Sequence, residues 1–134
     1  MDGTYEEQLQ SAGYGMWRVT AGGWSIRYYF EGPTARHKGS FFVIPGEQVT
    51  QYIEAYRKNW SQYLALKDTV PSGGSFRKEG VKGMGITVGG FRPGVCIDGW
   101  NMPVDNPAEL EKLLRSFQSC IDRAGEVMRW LKSV

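Results

Sequence analysis

Apolar and polar positions follow two different periods along this chain, and the change between them outlines the fold. Trp24, Ile26, Tyr28 and Phe30 alternate with Ser25, Arg27 and Tyr29, the period-two pattern of a half-buried strand. The run Gly15–Thr20 precedes it across the turn Ala21–Gly22–Gly23, which predicts an antiparallel hairpin. A turn at Glu31–Thr34 leads to a third strand, Ser40–Ile44, ended by Pro45–Gly46. From about Glu47 to Asp68 the period becomes helical, with Val49, Tyr52, Ile53, Tyr56, Trp60, Tyr63 and Leu64 on one stripe. Pro71 and Ser72–Gly73–Gly74 break the chain, and a second hairpin follows from Met84–Ile86–Val88 and Val95–Ile97. Its turn, Gly89–Gly94, carries Phe91 and Arg92 at the tip with no local partner for either. The last helix has an N-cap at Asn106, Pro107 at its first position and Glu109 at its third, and runs to about residue 132. At 1.5 Å per residue such a helix is a rod of roughly 40 Å, so part of it is expected to project and pack on another subunit. The alternative is a helix wrapped along its own sheet with a frayed end. Residues 1–13 read as a polar arm with weak helical character, from Tyr5 and Leu9. The pattern predicts an α+β fold in a single oligomeric domain: a small antiparallel sheet of about five strands, one mid-chain helix and a long C-terminal helix.

Composition narrows the class. A chain of 134 residues, 41% hydrophobic and 22% charged, is an ordinary globular domain. No apolar run approaches the roughly 20 residues that span a bilayer, and the N-terminus is acidic and polar, so the expected location is the cytoplasm. The net charge of +2 is small for a nucleic-acid-binding protein. Its placement is more informative, since Arg77, Lys78, Lys82 and Arg92 outnumber Glu79 and Asp98 around the glycine-rich loops. Aromatic residues reach 13%, with five tryptophans and seven tyrosines, more rings than a core this small can hide completely. Protein interfaces and ring-binding pockets both use such rings.

A search for catalytic chemistry finds none. His37 lies between Arg36 and Lys38, cations that oppose its protonation, and no serine sits in a G-x-S-x-G elbow. Gly83-x-Gly85-x-x-Val88 lacks the third glycine of a dinucleotide fingerprint, and there is no Walker motif. With one histidine, and Cys96 and Cys120 far apart, the reading is two buried free thiols, no metal and no cofactor. Recognition remains. Glycines such as Gly90 let backbone amides approach a ligand, a phenylalanine ring stacks a base, and a guanidinium fork grips phosphate. Phe91, Arg92 and Gly90, with Asn101, Arg27 and Arg57, are the candidate ligand-binding residues. The competing reading of the hairpin tip is a hydrophobic corner packed under a neighbouring loop or subunit.

The run Gly89–Gly90–Phe91, Gly94–Val95–Cys96–Ile97–Asp98, Asn101–Met102–Pro103, set between an aromatic hairpin with one helix and a long last helix, resembles the first family of phage Thoeris anti-defence proteins. The resemblance covers most of residues 14–134, and its specific part is Phe91 to Pro103. It implies a small non-enzymatic sponge in the host cytoplasm that sequesters glycocyclic ADP-ribose signals made by bacterial TIR-domain enzymes. It also implies a homo-oligomer, a hexamer built from dimers, with the nucleotide pocket at the dimer interface. A loop phenylalanine and an asparagine ten residues later hold the ligand in that family, and they match Phe91 and Asn101. Some members bind cyclic trinucleotides at a separate subunit junction through arginines near or on the last helix, for which Arg115, Arg123 and Arg129 are the available candidates. Two other readings stand beside this one. A curved sheet bearing Arg18, Arg27 and Tyr29 could track single-stranded nucleic acid, although near-neutral charge argues against it. An aromatic surface could equally serve a protein-binding inhibitor or structural phage protein.

Overall fold

The computed structural model describes residues 3–11, 13–30 and 41–134; the expected turn at Glu31–Thr34, His37 and the start of the third strand at Ser40 fall outside them. The fold is α+β, with the mid-chain and C-terminal helices that the periodicity predicts. The strand count differs: the described residues form two four-stranded antiparallel sheets instead of one sheet of about five strands. The chain divides into two compact units, Met1–Thr50 with Glu111–Val134, and Gln51–Leu110.

In the first unit, β1 (Tyr5–Gln8), β2 (Tyr14–Thr20), β3 (Gly23–Tyr29) and β4 (Phe41–Pro45) pair in sequence order. Register places Trp17 opposite Ile26 and Ile26 opposite Ile44, so one face presents a row of fully buried side chains. Tyr28 joins them because its cross-strand partner is Gly15, where a Cβ would meet the tyrosine ring at 2.6 Å. The C-terminal helix, α2 (Pro107–Ser133), brings Phe117 to this face, its ring centroid 6.2 Å from that of Tyr28. Its stripe stays buried at Leu113, Phe117, Cys120, Ala124, Val127 and Leu131, so it does not project as a free rod, contrary to the expectation from its length. Tyr29, expected on the outer face, is buried there in a small cluster with Met16 and Tyr14.

The N-terminal arm is corrected as well. It is a strand, β1, and its Tyr5 and Glu7 lie opposite Val19 and Trp17 of β2. Tyr5 and Leu9 are four residues apart, a spacing that returns to the same face in both a helix and a strand. Pairing with β2 decides between them. The Tyr5 hydroxyl donates to Glu7 at 2.7 Å, and Arg123 of α2 grips the same carboxylate with two contacts of 3.1 and 3.0 Å.

The second unit holds most of α1 (Val49–Leu66) and the strands β5 (Phe76–Glu79), β6 (Gly85–Val88), β7 (Gly94–Asp98) and β8 (Asn101–Val104), again in sequence order. Every residue of β6 is buried, as are the first four of β7, whereas edge strand β5 is exposed throughout. Along α1 the buried positions are Val49, Tyr52, Ala55, Tyr56, Asn59 and Tyr63, while Leu64, assigned to the stripe by its spacing, is exposed. Asn59 is a fully buried amide: it accepts from Val81 N–H at 2.9 Å and donates to the Val81 carbonyl at 3.2 Å and to the Met84 sulfur at 3.3 Å. One side chain thereby fixes the turn Val81–Gly83 that feeds β6. Helix α2 is capped as its sequence predicts, Asn106 Oδ1 accepting from the Glu109 N–H at 2.9 Å.

Candidate functional site

The β6–β7 hairpin forms as the alternation predicts, with Ile86 opposite Val95. Its turn uses glycine where side chains are excluded: Gly89 and Gly90 have φ of 74° and 73°, and a Cβ on Gly89 would sit 2.6 Å from the Gly74 carbonyl oxygen. That geometry leaves Phe91 fully exposed at 103% relative accessibility.

A second hairpin, absent from the sequence reading, supplies the rest of the site. Asp98 pairs with Asn101, leaving Gly99 and Trp100 as a two-residue turn, with φ of 56° at Gly99. Positive φ at the first central position alone is the pattern of a II′ turn. The turn folds over β6 so closely that a Cβ on Gly85 would collide with the Gly99 carbonyl oxygen. Trp100 is thus held over the sheet, where the Arg77 guanidinium of β5 lies 4.4 Å from its ring centroid.

The two turns and β5 enclose a cavity of ≈ 260 Å³ lined by Ser75, Arg77, Thr87, Phe91, Arg92 and Trp100 together with Gly89 and Gly90. Two guanidinium groups and two aromatic rings therefore line one space, and none of the lining residues is a carboxylate. Cys96 feels the same cations. Burial pushes its thiol up, and Arg92, a hydrogen bond with Thr87, and Arg77 act in the opposite direction. Chemically, the arrangement suits an anion that also carries a planar ring.

Of the residues singled out from the sequence, Gly90, Phe91 and Arg92 share this cavity. Asn101 is the first residue of β8, next to Trp100, and is not among the lining residues. Arg57 belongs instead to a groove on α1 of ≈ 560 Å³, with Gln51, Lys58 and Lys82. Arg27 lies in the first unit, 5.2 Å from the ring centroid of Phe41. Arg115 and Arg123 line a separate cavity of the first unit, and Arg129 is not part of it. Sequence reasoning missed Arg77 and Trp100 as a pair. The available signal was Gly99, since a II′ turn takes glycine at its first central position, which would have placed Trp100 on the turn. Pro103 masked it, since proline argues against a strand except at an edge, and β8 is an edge strand.

Among the described residues no group of three or more histidine, cysteine or acidic side chains could hold a metal ion, and no helix is long and apolar enough to cross a membrane. Cys96 and Cys120 are both free and buried. No family model matches the chain, and no curated protein or solved structure matches it either.

Proposed function

We infer that this protein binds an anionic, ring-bearing nucleotide and sequesters it without cleaving it. The observation that carries the reading is the convergence of Phe91 and Trp100 with Arg77 and Arg92 in one cavity. Base-sized rings stack on aromatic faces, and pyrophosphate oxygens pair with guanidinium forks. Read together with the resemblance of Phe91–Pro103 to the first family of Thoeris anti-defence proteins, the ligand is a glycocyclic ADP-ribose signal. The protein is then a bacteriophage immune-evasion sponge acting in the host cytoplasm as a homo-oligomer, a hexamer built from dimers. Asn101 contributes to the ligand site in this reading. The cavity, ≈ 260 Å³, falls below the range of about 300–1,000 Å³ typical of ligand pockets, which is consistent with a site completed by a second subunit.

The test is native mass spectrometry of the purified protein before and after incubation with filtered lysate from cells with active TIR signalling. An oligomer that gains the mass of a cyclic ADP-ribose per site and releases it unchanged on denaturation supports the reading. Absence of any small-molecule adduct under those conditions refutes it.

One observation favours a second reading, single-stranded nucleic-acid binding. The outer face of the first sheet carries the half-buried Tyr14 and the exposed Phe41 on either side of the buried Tyr29, at centroid spacings of 5.9 and 5.7 Å from it, with Arg27 against Phe41. Rings in a row beside a cation are the stacking platform of such proteins. Affinity for an oligonucleotide that falls steeply with salt would support it.

A further inference from the structure

The first unit contains its own cavity, of ≈ 330 Å³, bounded by residues of β1, β2 and α2. Three features of it point to one ligand chemistry. Its lining includes Trp17, a side chain with 0% exposure whose indole Nε1–H has no hydrogen-bond partner among the described residues. Buried donors are almost always paired in folded proteins, so an unpaired one on a residue that lines a cavity points to an acceptor supplied from outside the chain. The walls are otherwise apolar where they are buried, at Leu9 and Cys120. The exposed lining consists of the neutral Gln8, Gln10 and Ser119 and two cations, Lys112 and Arg115, three residues apart on α2. Arg123 also lines the space, 4.9 Å from the Trp17 ring centroid, but its charge is balanced by the fork to Glu7. The surplus charge is therefore that of Lys112 and Arg115.

We propose that this cavity binds a small organic oxyanion, a carboxylate or phosphate monoester carrying one ring-sized apolar body. Lys112 and Arg115 attract the oxyanion, Leu9, Trp17 and Cys120 take the body, and the Trp17 indole donates to a ligand oxygen. The volume sets the size: it lies at the lower limit of about 300–1,000 Å³ for drug-sized ligands, room for one ring and its head group. That is too small for a cyclic trinucleotide, and the cavity lies within one chain and excludes Arg129, so the site differs from the one implied at a subunit junction.

Indole ¹H–¹⁵N spectra of the full-length protein test this directly, because the chain contains five tryptophans and each gives one cross-peak. Trp17 is assigned by Trp17→Phe, or by elimination with Trp24→Phe, Trp60→Phe, Trp100→Phe and Trp130→Phe should that variant not fold. Titration with phenylacetate and with phenyl phosphate is expected to move the Trp17 proton downfield and saturably for at least one of them, and the stronger of the two identifies the head group. Benzyl alcohol is expected to leave it in place. The double variant Lys112→Ala/Arg115→Ala, altering two exposed side chains, is expected to bind at least ~10-fold more weakly with an unchanged melting temperature. A Trp17 peak that ignores both acids at millimolar concentration overturns the proposal, as does an equal response to benzyl alcohol or in the double variant. Phe91 and Trp100 take no part in the measurement, so its outcome is independent of the nucleotide reading.

Discussion

Gly85→Ala should damage the candidate nucleotide site without altering any residue that lines it. Gly85 lies in β6 beneath the Gly99–Trp100 turn, and an added Cβ would fall inside the contact distance of the Gly99 carbonyl oxygen. Its φ is not in the left-handed region, so the effect is steric and not conformational. Carbon and oxygen need a separation near 3.5 Å, so the turn has to lift by more than about 1 Å. Overpacking of this kind costs about 1–3 kcal/mol, which for a chain of this size lowers the melting temperature by roughly 4–12 °C. Lifting the turn also moves Trp100 away from Arg77, now 4.4 Å from its ring centroid. Gly99→Ala is the matching control: its Cβ meets nothing within 4 Å, but φ is 56°, so it introduces backbone strain of about 1–2 kcal/mol without a collision. Differential scanning fluorimetry gives the stability, and calorimetric titration with glycocyclic ADP-ribose gives the affinity. Gly85→Ala is expected to lose affinity by more than its neighbour does. A Gly85→Ala protein with wild-type melting temperature and wild-type affinity would refute the coupling between the turn and the cavity.

Phe91→Ala removes a ring that is fully exposed, so folding stability should stay within about 0.5 kcal/mol, while loss of stacking weakens nucleotide binding by about 1–3 kcal/mol; a large fall in melting temperature would instead mean that the ring packs on a subunit. Asn59→Ala removes a fully buried amide bonded to Val81 and Met84 and leaves the Val81 N–H without its side-chain acceptor, at a cost of about 1–3 kcal/mol; chemical denaturation should show the variant less stable than the wild type by that amount, and an unchanged midpoint would contradict the role given to the amide. Hydrogen bonds from Arg123, then from Tyr5, hold the Glu7 carboxyl below its ordinary range despite desolvation. Its stabilising contribution is present above the unfolded-state pKa and is lost as pH falls through the lower folded value, so the wild type should exceed Glu7→Gln in stability at neutral pH and converge with it in acid. With side chains 41% and 38% exposed the gap stays below about 1 kcal/mol; a gap that widens in acid would contradict the assignment.

What could be read from the sequence was what local periodicity controls. The β2–β3 and β6–β7 hairpins, α1 and the capped start of α2 all declare themselves through alternation, a helical stripe or an N-cap, because each is set by residues close in sequence. Strands β1, β5 and β8 do not, for three different reasons. Tyr5 of β1 and Leu9 just beyond it have a spacing shared by helix and strand, β5 has no buried residue to give it a pattern, and β8 contains Pro103. The site divided along the same line. Phe91 and Arg92 were visible because a glycine turn leaves them nothing local to touch. Arg77 and Trp100 meet only because β5 and the β7–β8 turn both attach to the β6–β7 pair, a long-range consequence of sheet order. Asn59 carries no local signal of its role, because its partners, Val81 and Met84, lie 22 and 25 residues away.

The composition of the cavity lining bears on whether the bound molecule would survive there. Glycosidic or phosphoanhydride cleavage calls for a positioned general acid or base, or an activated nucleophile. The hydroxyls of Ser75 and Thr87 line the cavity, but no lining residue is a histidine or carboxylate that would take their protons. The thiol of Cys96 lies outside the lining, and burial raises its pKa, so the thiolate fraction at neutral pH is small. The guanidinium forks of Arg77 and Arg92 present N–H donors that can hold phosphate oxygens in place. The strained backbone of Met102, at φ 56°, lies in the strand that follows the Trp100 turn, and such outliers persist where surrounding structure over-determines them. A preformed turn, two permanent cations and two rings favour tight holding because little has to be ordered on binding. Incubating the protein with the proposed nucleotide ligand for hours and recovering it intact by denaturation is the outcome this chemistry predicts; recovery of a hydrolysed product would show that a base reaches the cavity.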